Sequence, residues 1–242
     1  EREGGWPERD GDSKSCGWIS TVLSGMGRLV MGSVQTLVLK PFRGLLQIAP
    51  SNEPIDHWDM SENRHNVMLF ARLREKHGKK ESFCIANYHM PCAFYAPKVM
   101  NMHAEMVVRR TQLLAKGDAH VLAGDFNIMP DSPTYGLVTK GELDAEDETF
   151  PNGKNGMEWM ITSDKMRSAY AESEHGEPDF TNYAQIRDDD PFIGTLDYIF
   201  ISKHWKVNGV EEICNRNDAK GPFPNTEEPS DHVLIAANLE LG

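Results

Sequence analysis

The feature that most constrains the fold is a helical segment set between two short apolar runs. From Pro97 to Lys116, residues Met100, His103, Val107 and Leu114 fall on one helical face, with Pro97 near its start. Phe83 to Tyr88 precedes this segment and His120 to Ala123 follows it, both with strand-like composition. Strands joined by connections of crossover length indicate a layered α/β domain. Further strand-like runs at Val67 to Leu73, Leu196 to Ile201 and Val233 to Leu239 extend the pattern. A chain of 242 residues holds one large domain of this kind, and 39% hydrophobic residues are enough to form its core.

The first fifty residues differ in character. Glu1 to Cys16 is charged and glycine-rich, and is expected to form an arm. From Trp18 to Leu39, apolar residues at Ile19, Val22, Leu23, Met26, Leu29, Val30, Val34, Leu37 and Val38 follow a helical period that Pro41 stops. The pattern predicts an amphipathic helix, docked on the domain or set against a membrane surface or a partner. Arg28 and the glycines argue against a transmembrane span. Pro50 to Asn66 is polar and irregular, and Gly141 to Thr149 reads as an acidic, solvated loop. The expected division is residues 1–50 as arm plus helix and 51–242 as the main domain.

With 25 Lys and Arg against 37 Asp and Glu, the net charge is −12. That balance excludes a general nucleic-acid coat, so any nucleic acid must be held by a local cationic groove or by metal. Cys16, Cys84, Cys92 and Cys214 are scattered and form no C-x-x-C pair, which argues against a zinc site or a disulfide framework. A reducing, intracellular and cytoplasmic setting is expected.

Four segments carry polar residues at the ends of strand-like runs. Asn87-Tyr88-His89-Met90-Pro91 offers an imidazole. Ala123-Gly124-Asp125-Phe126-Asn127, followed by Pro130-Asp131-Ser132-Pro133, offers a carboxylate and an amide two positions apart, which point the same way from a strand. Asp125 could orient a water and Asn127 a phosphate oxygen, or the pair could form an Asx-turn. Asp197 lies inside the apolar run Gly194-Thr195-Leu196-Asp197-Tyr198-Ile199-Phe200, where a carboxylate needs a cation, a metal or a histidine. Pro229-Ser230-Asp231-His232 leads into the last apolar run.

In this order the four segments resemble the endonuclease/exonuclease/phosphatase superfamily, from about Asn66 to the C-terminus. Phe180-Thr181-Asn182-Tyr183, followed by Phe192-Ile193-Gly194-Thr195-Leu196-Asp197-Tyr198-Ile199-Phe200, is similar to the branch of deadenylases, nocturnin and 2′,5′-phosphodiesterases. The chain departs from that branch at Asn87-Tyr88-His89, where the branch has Asn-Thr-His, and in the Trp18 to Leu39 segment. The resemblance implies a deoxyribonuclease I-like α/β sandwich, two mainly antiparallel sheets flanked by helices, with the active site where both sheets end. It implies that Asp125 positions or deprotonates the attacking water and that Asn127 holds the phosphate. Asp231 would bind metal, and His232 paired with Asp197 would stabilise the transition state. His89 would contact the scissile phosphate, and Phe192 would flank a base. The implied cofactor is Mg²⁺, with Mn²⁺ as a substitute.

The superfamily's first module supplies a strand asparagine and a metal-binding glutamate, and no segment before Asn66 resembles either; Glu53 and Glu62 lie in irregular sequence. The chain is therefore expected to begin after that module or to lack its glutamate. The expected function is a Mg²⁺-dependent phosphodiester hydrolase acting on nucleic acid, RNA favoured. The alternatives are a sphingomyelinase-type lipid or small-molecule phosphodiesterase, with the membrane approached through 18–39, and an inactive binding module.

Overall fold

The computed structural model describes the backbone of residues 30–37, and residues 55–74, 76, 81–185 and 190–242 in full. A six-stranded sheet organises the domain in the order β1-β2-β3-β4-β8-β5. Its strands are β1 (Val30–Leu37), β2 (Met68–Arg74), β3 (Ser82–Tyr88), β4 (Ala119–Asp125), β8 (Asp197–Ile201) and β5 (Arg167–Ser168). All neighbouring strands are antiparallel except β3 and β4. That one parallel pair requires a crossover, and α2 (Pro97–Ala115) supplies it. Two further antiparallel pairs complete the strands: β9 (Trp205–Val210) with β10 (Ala237–Leu241), and β6 (Asn182–Ala184) with β7 (Phe192–Gly194).

Alternation along the strands divides the core between two faces of the large sheet. Cys84, Ala86, Tyr88, Leu122, Tyr198 and Phe200 pack against α2, through Val99, Met100, Ala104, Val107 and Val108, and against α3 (Pro133–Lys140), through Leu137 and Val138. The intervening residues Phe83, Val121, Ala123, Ile199 and Ile201 face the opposite way, onto Trp205, Val207, Ala237 and Leu239 of the β9–β10 pair. The result is helices, sheet and second sheet in layers.

The ends of α2 follow from its sequence. Pro97 occupies the first turn, where its missing N–H costs nothing. Lys116 ends the helix in the left-handed region at φ 55, with its N–H donating to Gln112 O at 3.1 Å. His103 lies on the buried face of α2. Its Nδ1 is 2.7 Å from Tyr88 Oη and its Nε2 is 3.2 Å from the Ser61 carbonyl. It is a packed core histidine.

Several expectations are corrected. Residues 30–37 form a strand where the apolar period predicts part of a helix; the remainder of that predicted helix, 18–29 and 38–39, lies outside the described residues, as does the arm. Val30, Val34 and Thr36 are β-branched and favour extended backbone, and seven-residue β2 offers a paired edge with Leu37 opposite Met68. The irregular stretch before Asn66 contains α1 (His57–Glu62), capped by Asp56, whose carboxylate accepts from Trp58 N and Asp59 N. Cys214 is disulfide-bonded while Cys84 and Cys92 are free, so scatter along the sequence did not exclude a bridge. Among the described residues no helix is long and apolar enough to cross a membrane.

Candidate active site

The site forms where β3, β4 and β8 end. Asp125 on β4 and Asp197 on β8 are register partners. The chain leaving β3 turns across them, with Met90 N donating to Asp125 O at 2.8 Å. Gly124 makes this close approach possible. Its φ is 143, and a Cβ there would collide with the backbone carbonyl of Tyr88. After β4, Phe126 N bonds Leu196 O at 2.8 Å and Asn127 turns back at φ 51, so its N–H donates to Asp125 Oδ1 at 2.9 Å. Asn127 Nδ2 donates to Met90 O at 2.9 Å, bracing the two strand ends together.

His232 arrives from a segment laid along β6. Tyr183 N bonds Asp231 O at 2.9 Å, and Val233 N bonds Thr181 O at 2.8 Å. Ser230 Oγ accepts from His232 N at 3.1 Å. These contacts aim His232 Nδ1 at Asp197 Oδ2, 2.7 Å away, and leave Nε2 3.8 Å from Asp125 Oδ2. On the other side, exposed His89 brings Nε2 to 3.3 Å from the same Asp125 oxygen. Thr181, fully buried, accepts from Leu196 N at 2.8 Å and Asp197 N at 3.0 Å, which fixes the start of β8.

The electrostatics follow from two carboxylates held in a half-buried place. Burial, and then the charge of Asp197, push the Asp125 carboxyl above its ordinary range, against the Asn127 N–H and the two imidazoles. Burial opposes a charge on His232. The hydrogen bond to Asp197 and the charges of Asp197, Asp125 and Asp231 outweigh it and raise its pKa. The outcome is a half-buried carboxyl with a raised pKa beside an imidazole that favours its cationic form.

Asp125, Asp197 and His232 bring ligand atoms within 4.8 Å of one another. Two carboxylates and an imidazole suit a divalent cation by donor chemistry. Asp231, the expected metal residue, stands outside this group; its Oδ2 lies 3.4 Å from Asn182 Nδ2, and its charge still reaches His232. Glu62 is ion-paired with Lys154 at 2.6 Å. Glu53 lies outside the described residues. Phe192, 42% exposed, sits on the β6–β7 hairpin. A Cβ on Gly194 would meet Met129 Sδ at 2.9 Å and Phe192 Cζ at 3.0 Å, so the missing side chain admits both.

Of the expected site residues, Asp125, Asp197, His232 and His89 meet directly. Asn127 braces the loop beneath them, and Asp231 and Phe192 border the His232 side. Sequence reasoning assigned no part to Thr181 or Asn182, although both stand in the quoted Phe180–Tyr183 motif. It also passed over Asn66, whose Nδ2 holds the His89 carbonyl at 2.7 Å.

Comparison with known proteins places this layered α/β domain, with His, Asp and a His–Asp pair at its strand ends, in a family. Residues 29–232 match the Endonuclease/Exonuclease/phosphatase family, and the chain belongs to it. Bovine (Bos taurus) 2′,5′-phosphodiesterase 12 is 27% identical over 184 residues, 73% of this chain and 29% of that protein. The CCR4-Not complex 3′-5′-exoribonuclease subunit Ccr4 of Mycosarcoma maydis is 32% identical over 127 residues, 50% of this chain and 18% of its own. The chain thus spans less than a third of the length of either relative. The crystal structure of ANGEL2, a 2′,3′-cyclic phosphatase, in complex with adenosine-2′,3′-vanadate has a TM-score of 0.62 at 20% identity, covering 88% of this chain and 68% of that one, and so shares the fold.

Proposed function

We propose that this chain hydrolyses phosphodiester bonds with the help of a divalent metal, Mg²⁺ or in its place Mn²⁺, and that its substrate is nucleic acid, RNA in preference to DNA. The observation that carries the reading is the Asp125–His232–Asp197 arrangement, with His232 Nδ1 2.7 Å from Asp197 and Nε2 turned toward Asp125. Asp125, with Oδ1 pinned by Asn127 N–H, keeps Oδ2 free to orient a water and accept its proton. Its raised pKa makes it a stronger base than an ordinary carboxylate. His232, kept cationic by Asp197, donates from Nε2 to the oxygens of the phosphorus centre as charge develops there. His89 stands on the open side of Asp125, where it can meet the phosphate or the leaving oxygen. A bound divalent metal would neutralise phosphate charge; Asp231 at the border of the site would help to hold it, leaving Asp125 to the water and Asp197 to His232. Asn127 steadies Asp125 through its backbone and reaches toward phosphate only with the amide hydrogen that Met90 leaves free.

RNA is favoured by what the relatives are named for and by the exposed ring of Phe192 beside the His232 segment. The lipid alternative drew on a helix over 18–39, and residues 30–37 are a strand. The test is a panel of poly(A) RNA, single-stranded DNA and sphingomyelin, each with and without Mg²⁺ and Mn²⁺, for the full chain and for Asp125→Asn and His232→Asn. RNA hydrolysis lost in both variants is expected. Hydrolysis of sphingomyelin alone would move the substrate to lipid, and no Asp125-dependent hydrolysis in any arm would leave a binding module.

A further inference from the structure

The loop between β3 and α2 carries two adjacent exposed aromatics. Phe94 is 51% and Tyr95 68% exposed, in a loop whose start is tied to the backbone of β4 by Met90 N donating to the Asp125 main-chain carbonyl. Rings exposed to this degree are open to contact by a ligand. Arg64, from the α1–β2 connection, donates through Nη2 to Tyr95 Oη at 3.2 Å. Arg64 Nε is buried with no hydrogen-bond partner. The cation is thus joined to the ring of Tyr95 in the loop that leaves β3.

Sheet order fixes the side on which they lie. β4, which carries Asp125, is flanked by β3 and β8. The β3–α2 loop leaves from the β3 side. The β6–β7 hairpin with Phe192 attaches on the β8 side, through Thr181 to Leu196 and Asp197. β4 thus lies between the two strands from whose sides the aromatic-bearing segments leave.

We infer that the β3–α2 loop is a second nucleotide subsite, in which Phe94 and Tyr95 stack bases and Arg64 holds a backbone phosphate. A single strand would then cross the Asp125–His232 centre with nucleotides engaged on both sides of the scissile bond. The subsite rests on the phosphodiesterase reading above. The chemistry is that of single-strand recognition generally: a cation for the backbone and ring faces for bases, without demand for a particular sequence. The chain's net charge of −12 makes a placed arginine the more telling, since the surface as a whole repels phosphate.

The test separates the subsite from the reading beneath it. Binding of a fluorescein-labelled hexanucleotide RNA is measured by anisotropy in the full chain carrying Asp125→Asn, so that the strand stays intact. Adding Tyr95→Ala or Phe94→Ala should raise Kd roughly tenfold, the loss of one stacked base. Tyr95→Phe, which keeps the ring, should stay close to its parent. Arg64→Gln should weaken binding and flatten its dependence on salt. Unchanged Kd in both alanine variants, or no binding by the parent, overturns the subsite. Hydrolysis of methyl p-nitrophenyl phosphate by the unmodified chain, compared with Asp125→Asn, tests the catalytic reading alone: it can stand while the subsite falls.

Discussion

Asp125 and Asp197 face each other as register partners at the ends of β4 and β8, and His232 stands between them, bonded to the second and 3.8 Å from the first. Like charges opposite each other in an antiparallel pair are unfavourable. The imidazolium relieves them, and they in turn hold its proton. The raised carboxyl of Asp125 and the raised imidazole of His232 thus come from one electrostatic arrangement.

Replacing Asp197 with Asn should therefore disturb His232 more than the fold. Without the carboxylate, burial dominates and the His232 pKa falls, so the cation survives only at lower pH. Phosphodiester hydrolysis should drop by about a hundredfold or more, the usual range for losing a positioned acid or charge. The alkaline limb of the pH–rate profile should shift toward acid, because protonated His232 is lost earlier as pH rises. A profile that keeps its shape would separate His232 from the alkaline limb.

Thr181 supports the same pair from behind. It is fully buried and accepts both Leu196 N and Asp197 N. Thr181→Val preserves shape and leaves two buried donors unpaired, at about 1–3 kcal/mol for each group left unsatisfied. A fall of this order in urea-denaturation stability is expected, with activity falling further because Asp197 loses its seat. Thr181→Ser keeps the hydroxyl and should recover most of both.

How much of this was legible in the sequence depends on what held each element. The strands at 68–74, 82–88, 119–125 and 197–201 and the helix over 97–115 carry their own periods, because each is packed on at least one face by elements that impose it. Asp197 was legible because a carboxylate inside an apolar run demands a partner, and Asp125 and His232 because polar residues close strand-like runs in an order that resembles a known superfamily. The strand over 30–37 was not, since its apolar spacing suits a helix and only pairing with β2 makes it extended. Helix α3 had its signals in plain view, Ser132 as cap, Pro133 in the first turn and Gly141 after it at φ 75, but at eight residues its period is too short to stand out. Strand β9 reads Trp-Lys-Val-Asn-Gly-Val, and a glycine and an asparagine in so short a run mask the alternation. The parts of Thr181, Asn66 and Arg64 depend on contacts between distant segments, which no local pattern records.

The Phe192 ring is held over Gly194 beside Met129 while 42% of the residue stays exposed. Phe192→Ala should weaken RNA binding by about 1–3 kcal/mol if the ring stacks a base. Stability should change little, since the ring is not part of the core. Anisotropy with a short RNA and a thermal melt of the same variant separate the two roles: unchanged affinity with a lowered melting point would make Phe192 a packing residue.

Acid should destabilise the protein through His103. Burial lowers its pKa from 6.5 to about 4, and it is almost wholly enclosed between Tyr88 and the Ser61 carbonyl. The carbonyl can only accept, so Nε2 carries the hydrogen and Nδ1 accepts from the Tyr88 hydroxyl, an arrangement that needs the neutral ring. Between pH 6.5 and about 4 the unfolded chain binds a proton at this residue and the folded chain does not. Stability therefore falls as pH falls through that window, by roughly 2 kcal/mol at pH 5 from this group alone. His120, also lowered to about 4 first by burial, adds a loss of the same sign. His103→Gln should be less stable than the parent at pH 7, yet lose less on going to pH 5, because this titrating group is gone. Urea titrations of both proteins at the two pH values measure the difference. Equal losses in the two proteins would show that His103 stays neutral in the unfolded chain as well, or becomes charged in the folded one.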